Sequence, residues 1–172
     1  MNFLPLIACF DRKISRECID KIIKELQHEK IHHVIVRPEK IINYIHLQQA
    51  LNMCLRNRKI GIRIAKKPEI DLICYICCTD NIKNAIDECV DDLGRCILVI
   101  SFTEDEDVDI QEIAKSQRTL IELIEKECKA GSIDIAYCGS CYRNVEPSRY
   151  CASDSVLDVL EKLVELVLDR VE

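Results

Sequence analysis

Apolar positions recur with two different periods along this chain of 172 residues. Residues 3 to 10, FLPLIACF, are almost continuously apolar and read as a buried strand. In KISRECIDKIIKELQHEK, Cys18, Ile22, Ile23 and Leu26 fall at helical spacing behind Ser15, a hydroxyl suited to cap the first turn. HHVIVR is short and β-branched, a second strand that ends at Pro38. NYIHLQQALNMCLRNRK carries Leu47, Ala50, Leu51, Cys54 and Leu55 in an i, i+3, i+4, i+7, i+8 stripe, one face of a helix that Gly61 interrupts. A basic connector follows. Pro68 then suits the first position of another helix, Glu69 favours its positive end, and Ile70, Ile73, Cys74 and Cys77 recur on one face. A strand is the alternative for this isoleucine-rich run. Asp80, placed as a cap, and the stripe Ile82, Ala85, Ile86, Cys89 and Val90 favour two consecutive helices.

RCILVISF is the strongest strand signal, bounded by Gly94 and by the acidic run EDEDVD. Ile110, Ile113, Leu120, Ile121, Ile124 and Cys128 trace a long helix ending before Gly131, and IDIAY reads as a further strand. The final stretch, SDSVLDVLEKLVELVLDRVE, opens with Ser155 and Asp158 in a capping-box-like spacing and displays Val156, Leu160, Leu163, Val164, Val167 and Val171. Leu157, Leu166 and Leu168 widen its apolar surface, so it is either wedged between layers or covered by another protein. The pattern predicts the α+β class: a single domain over residues 1–172, with a central mixed β-sheet packed by several α-helices and a C-terminal apolar helix.

Composition places the chain among soluble globular proteins, with 48% apolar and 31% charged residues. No apolar run approaches the roughly 20 residues that span a bilayer, so no membrane is expected. The start, MNFLPLIACFDRK, lacks the basic leader and cleavage site of a signal peptide. Twelve cysteines are therefore expected to be mostly reduced, small apolar fillers in a cytosolic or nuclear protein. The net charge of −6 conceals an asymmetry. Residues 1–86 hold 15 Lys and Arg against 9 Asp and Glu, whereas residues 87–172 hold 9 against 21. Only the first half suits a polyanion.

Catalytic constellations are absent: there is no glycine-rich phosphate loop, nucleophile elbow, H-E-x-x-H or kinase signature. His32 and His33 precede a strand, His28 ends a helix, and His46 lies one residue before an apolar stripe, a boundary position. The acidic run lacks the spacing of a calcium loop and reads as a solvated loop. Cys74, Cys77 and Cys78 fall on an apolar face, where core packing is the simpler reading than zinc. Cys138 and Cys141 form a C-x-x-C pair with Cys151 downstream, a weak zinc or thiol-redox signal. The outstanding feature is RNRKIGIRIAKK. Arg56, Arg58, Lys59, Arg63, Lys66 and Lys67 supply six cations with no acid between them, just ahead of a helix N-terminus, where phosphate contacts are favourable.

The ordered series VIVRPEKI, HLQQALNMCL, KKPEIDLICYICCTDNIKNAI and CILVISF resembles the small accessory subunit of the KEOPS (EKC) complex, the family of the PRPK-binding protein. The matching positions are Pro38, His46 and Leu47, Ala50 to Asn52, Glu69 and Ile70, Asn81 and Ile82, Ala85 and Ile86, and Ile97 to Ile100. Residues 129–152 have no counterpart and form a divergent cysteine-rich insert. The resemblance implies a subunit without an active site or cofactor, found in cytoplasm and nucleus within a hetero-oligomeric complex. It implies binding to the complex's small kinase-like ATPase. It also implies recruitment of tRNA through the single-stranded CCA end for threonylcarbamoylation of adenosine. The six connector cations are then the nucleic-acid-binding candidates, and Val156, Leu160, Leu163, Val164 and Val167 the partner-binding ones. The rival expectation is a zinc-binding or thiol-redox protein built around Cys138, Cys141 and Cys151, with Cys74, Cys77 or Cys78 as further ligands.

Overall fold

The computed structural model describes residues 3–26, 30–41 and 44–137. The expected C-terminal helix with Val156, Leu160, Leu163, Val164 and Val167 lies outside the described residues, as do Cys138, Cys141, Cys151 and His28. In chain order the elements are β1 (Phe3–Phe10), α1 (Arg16–Glu25), β2 (His32–Val36), α2 (Tyr44–Lys59), α3 (Pro68–Ile76), α4 (Ile82–Cys89), β3 (Cys96–Phe102), α5 (Ile110–Glu127) and β4 (Ile133–Tyr137), with a 3-10 turn at Pro38–Lys40. The class is α+β. The described residues form two compact units, one from residues 3–37 and 90–137, the other from Pro38–Cys89.

In the first unit the strand order is β2-β3-β1-β4, antiparallel at every pairing. The expected mixed sheet is thereby corrected. β1 and β2, joined through α1, run in the same direction, but β3 lies between them and pairs antiparallel with both. With α1 and α5, these strands make the βαββαβ order of ferredoxin-like folds, the second unit entering the sequence between β2 and β3. The register places Leu6 opposite Val99, Ala8 opposite Ile97, and Ile35 opposite Val99, so these side chains share one face. They cluster with Ile19 and Ile22 of α1 and with Leu120, Ile121 and Ile124 of α5. Burial of each large aliphatic side chain contributes roughly 1.5–3 kcal/mol. β3 is buried from Ile97 to Phe102, on both faces, which is why its sequence shows no alternation.

Local chemistry sets the helix ends of this unit. The Ser15 hydroxyl accepts from the Cys18 amide at the start of α1. Asp109, the last acid of the acidic run, accepts from the amides of Gln111 and Glu112 at the start of α5. Asp105 accepts from Lys30 at 2.8 Å, so the run expected to be a solvated loop is in part a cap and an ion pair. His33 is corrected as well, from a residue preceding a strand to a buried position within β2, where Nδ1 meets the Ser101 hydroxyl at 2.8 Å and Nε2 the Ser116 hydroxyl at 2.9 Å.

Six cysteines stand in three disulfide pairs: Cys9–Cys96, Cys18–Cys128 and Cys77–Cys89. Each pair stands at disulfide distance in a chain expected to keep its thiols mostly reduced. The sheet register sets Cys9 opposite Cys96, with Cα atoms 4.0 Å apart, and the packing of α1 on α5 brings Cys18 within 5.8 Å of Cys128. Neither approach is visible in local spacing.

In the second unit α2 packs on α3 and α3 on α4. The stripe Leu47, Ala50, Leu51, Cys54 and Leu55 is buried as expected. α3 is buried on every side from Asp71 to Ile76, a wider apolar surface than the expected stripe. Asn81, rather than Asp80, caps α4: its side-chain oxygen accepts from the Asn84 amide at 3.1 Å. Among the described residues no helix is long and apolar enough to cross a membrane.

Candidate nucleic-acid interface

The basic connector begins where α2 ends. Gly61 adopts φ +87°, its amide donates to the Arg58 carbonyl, and the Ile62 amide donates to the Asn57 carbonyl. This pair of bonds is a Schellman closure, which requires the left-handed conformation at its turning residue; glycine adopts it without a side-chain clash. At the other end Lys67 holds the extended N-cap position and Pro68 the first turn of α3, as its ring geometry favours.

Between these ends the connector is fastened from inside. Arg58 is 6% exposed and Asp71 is fully buried, and Arg58 Nη1 lies 3.0 Å from Asp71 Oδ2. The other carboxylate oxygen, Oδ1, accepts from the Ile64 and Ala65 amides at 2.9 and 3.1 Å. Arg58 also donates to the carbonyl oxygens of Ala65 and Lys66, at 3.2 and 3.4 Å. One planar guanidinium and one carboxylate therefore satisfy five connections among α2, the connector and the first turns of α3. Next to them Asn57 Nδ2 donates to the buried Tyr75 hydroxyl at 2.8 Å.

This arrangement divides the six candidate cations. Arg56, Lys59, Arg63, Lys66 and Lys67 are exposed around the connector. Arg58 is not; its guanidinium faces inward onto Asp71, and the expectation that it meets a polyanion is corrected. Asp71 was the residue that sequence reasoning missed. Its signal was an acid between Ile70 and Leu72, four residues past Lys67, on a helix with too little polar surface to leave it in water.

His46, expected at a helix boundary, is 2% exposed on α2. Burial pushes its pKa down from 6.5 to about 4, against the opposing effect of a hydrogen bond to the Ile76 backbone. The imidazole is thus held buried and neutral within α2. The cysteine triplet also separates: Cys74 is buried in α3, Cys77 is joined to Cys89, and Cys78 closes the end of α3 with φ 49°. Among the described residues no group of three His, Cys, Asp or Glu side chains is placed to hold a metal ion.

The chain matches no protein-family model and no curated protein.

Proposed function

We propose that this chain is a non-catalytic accessory subunit of KEOPS that recruits tRNA through its CCA end and docks on the complex's small kinase-like ATPase, in cytoplasm and nucleus. The observation that carries the reading is the connector of the helical unit. Five exposed cations, Arg56, Lys59, Arg63, Lys66 and Lys67, surround a loop whose backbone is held by a buried ion pair. A polyanion gains from cations whose positions are fixed before it binds, because less ordering entropy is lost on association. The same helices and the Asn81 cap of α4 carry several positions of the family resemblance, among them His46, Leu47, Ala50, Ile70 and Ile82. The partner-binding candidates Val156, Leu160, Leu163, Val164 and Val167, which lie outside the described residues, belong to the same proposal and are tested by capture of the ATPase subunit with a Leu163→Glu variant.

The deciding experiment titrates purified protein against full-length tRNA and the same tRNA lacking its CCA end, at two salt concentrations. Tighter binding to intact tRNA supports the reading. Equal binding of both RNAs, lost with modest salt, would reduce the connector to a nonspecific cationic patch.

A further inference from the structure

We propose that the buried Arg58–Asp71 pair is a positioning device for RNA binding: it touches no phosphate itself and sets the geometry from which Lys66, Lys67 and Arg63 reach one. The inference rests on the function proposed above and assigns the pair a role within it. Its basis is the way the pair's hydrogen-bonding capacity is distributed. Asp71 turns both oxygens inward, Oδ2 to Arg58 and Oδ1 to two consecutive connector amides. Arg58 in turn binds the carbonyls of Ala65 and Lys66. The backbone carrying Ile64, Ala65 and Lys66 is thus held on its N–H side by the acid and on its C=O side by the base.

A buried pair of this kind is weak evidence for stability, because desolvation offsets most of its attraction, and apolar replacements of both partners are often tolerated. Its value to the molecule is then sought in what it orders. Here that is a run of three residues followed directly by Lys67 and the start of α3, with Lys66 itself inside the run. A cation on an unfastened loop would still attract phosphate through long-range charge, but each contact would have to order the loop as it formed. The fastening separates two properties that are usually confused: the number of phosphates contacted and the affinity those contacts deliver.

Salt dependence distinguishes them, since the slope of log affinity against log salt reports the phosphates neutralised, about 0.7 per contact on a single strand. The test uses the full chain and full-length tRNA with four proteins: the parent, Lys67→Gln, Arg58→Met combined with Asp71→Leu, and Arg58→Leu combined with Asp71→Met. Each double variant removes both charges together and leaves no buried ion unpaired; the second, which divides the apolar volume differently, serves if the first fails to fold by circular dichroism.

The expected result is a loss of affinity of about tenfold at every salt concentration for the double variant, with the parent's slope retained. Amide exchange at Ile64 and Ala65 should accelerate in the same variant. Lys67→Gln should instead flatten the slope. A flattened slope in the double variant would overturn the inference by making Arg58 a phosphate contact, and unchanged affinity would overturn it by making the fastening irrelevant to RNA. A parent that fails to bind tRNA would remove the proposed function and this role with it, an outcome distinct from a binding parent whose double variant is indifferent.

Discussion

The two units bury polar side chains in opposite ways. In the sheet unit His33 sits between the hydroxyls of Ser101 and Ser116, and Gln117 donates to the Leu4 and Val99 carbonyls, so these side chains meet uncharged partners. In the helical unit a full positive and a full negative charge are buried against each other at Arg58 and Asp71. Neutral hydrogen bonds contribute modestly and cost modestly when lost, whereas a charge deprived of its partner in a dry interior is expensive. The difference teaches which centre has been shaped by packing alone. A sheet can satisfy a histidine with serines that its register and a facing helix already supply. A connector of eight residues between two helices has no such ladder, and the ion pair substitutes for one.

The strongest way to break this comparison is to remove one partner from each centre. Asp71→Ala strands the Arg58 charge and two connector amides, and it is expected to cost about 3–5 kcal/mol. His33→Leu leaves two hydroxyls without their nitrogen partners and is expected to cost about 1–3 kcal/mol. Urea unfolding followed by far-ultraviolet circular dichroism measures both. Equal losses would mean that the buried charge pair behaves as an ordinary polar contact, and the contrast would collapse.

A smaller effect separates the units by pH. His46 has its pKa lowered to about 4, first by burial, with the Ile76 backbone hydrogen bond opposing. Its folded value therefore lies below the unfolded one, near 6.5, and as pH falls the unfolded chain takes up the proton first. The stability associated with a neutral His46 is present above pH 6.5 and is lost progressively between pH 6.5 and 4, amounting to about 3 kcal/mol at full loss. His46→Gln should remove most of that slope in a series of urea midpoints taken from pH 7 to 4.5. An unaltered slope would show that other groups carry the acid sensitivity and that α2 tolerates a charged imidazole.

How far the sequence disclosed this molecule follows the range of the interactions involved. β1 was legible as residues 3–10 and β3 within RCILVISF, because an unbroken apolar run reports burial directly. Ser15, Gly61 and Pro68 announced helix ends because capping is settled within a turn or two. The strand order was not legible: inserting β3 between β1 and β2 depends on pairings across many tens of residues. The Cys9–Cys96 and Cys18–Cys128 pairs, separated by 87 and 110 positions, were hidden for the same reason. At the candidate interface the cations were plain as a composition run, yet composition cannot tell a cation that faces water from one that faces an acid. Arg58 and Arg56 look alike in sequence, and only the arrival of Asp71 from α3 distinguishes them.

The smallest expected effect concerns two left-handed turns, one in each unit. Gly131 in the sheet unit has φ +84°, and a Cβ there would stand 2.7 Å from the Asp11 side chain, whose Oδ2 accepts from the Ser132 amide and hydroxyl. Glycine is required twice over, by backbone conformation and by space. Cys78 in the helical unit occupies the corresponding turning position at the end of α3: it has φ 49°, its amide donates to the Tyr75 carbonyl, and the Thr79 amide donates to the Cys74 carbonyl. Here a side chain is carried through a Schellman closure that favours glycine, at a cost of roughly 1 kcal/mol. Cys78→Gly should therefore raise stability by about 1 kcal/mol, while Gly131→Ala should lower it. If Cys78→Gly were instead destabilising, the thiol, half-buried and 3.7 Å from the Tyr75 carbonyl oxygen, would contribute more than the turn costs, and the helical unit would depend on this cysteine for packing.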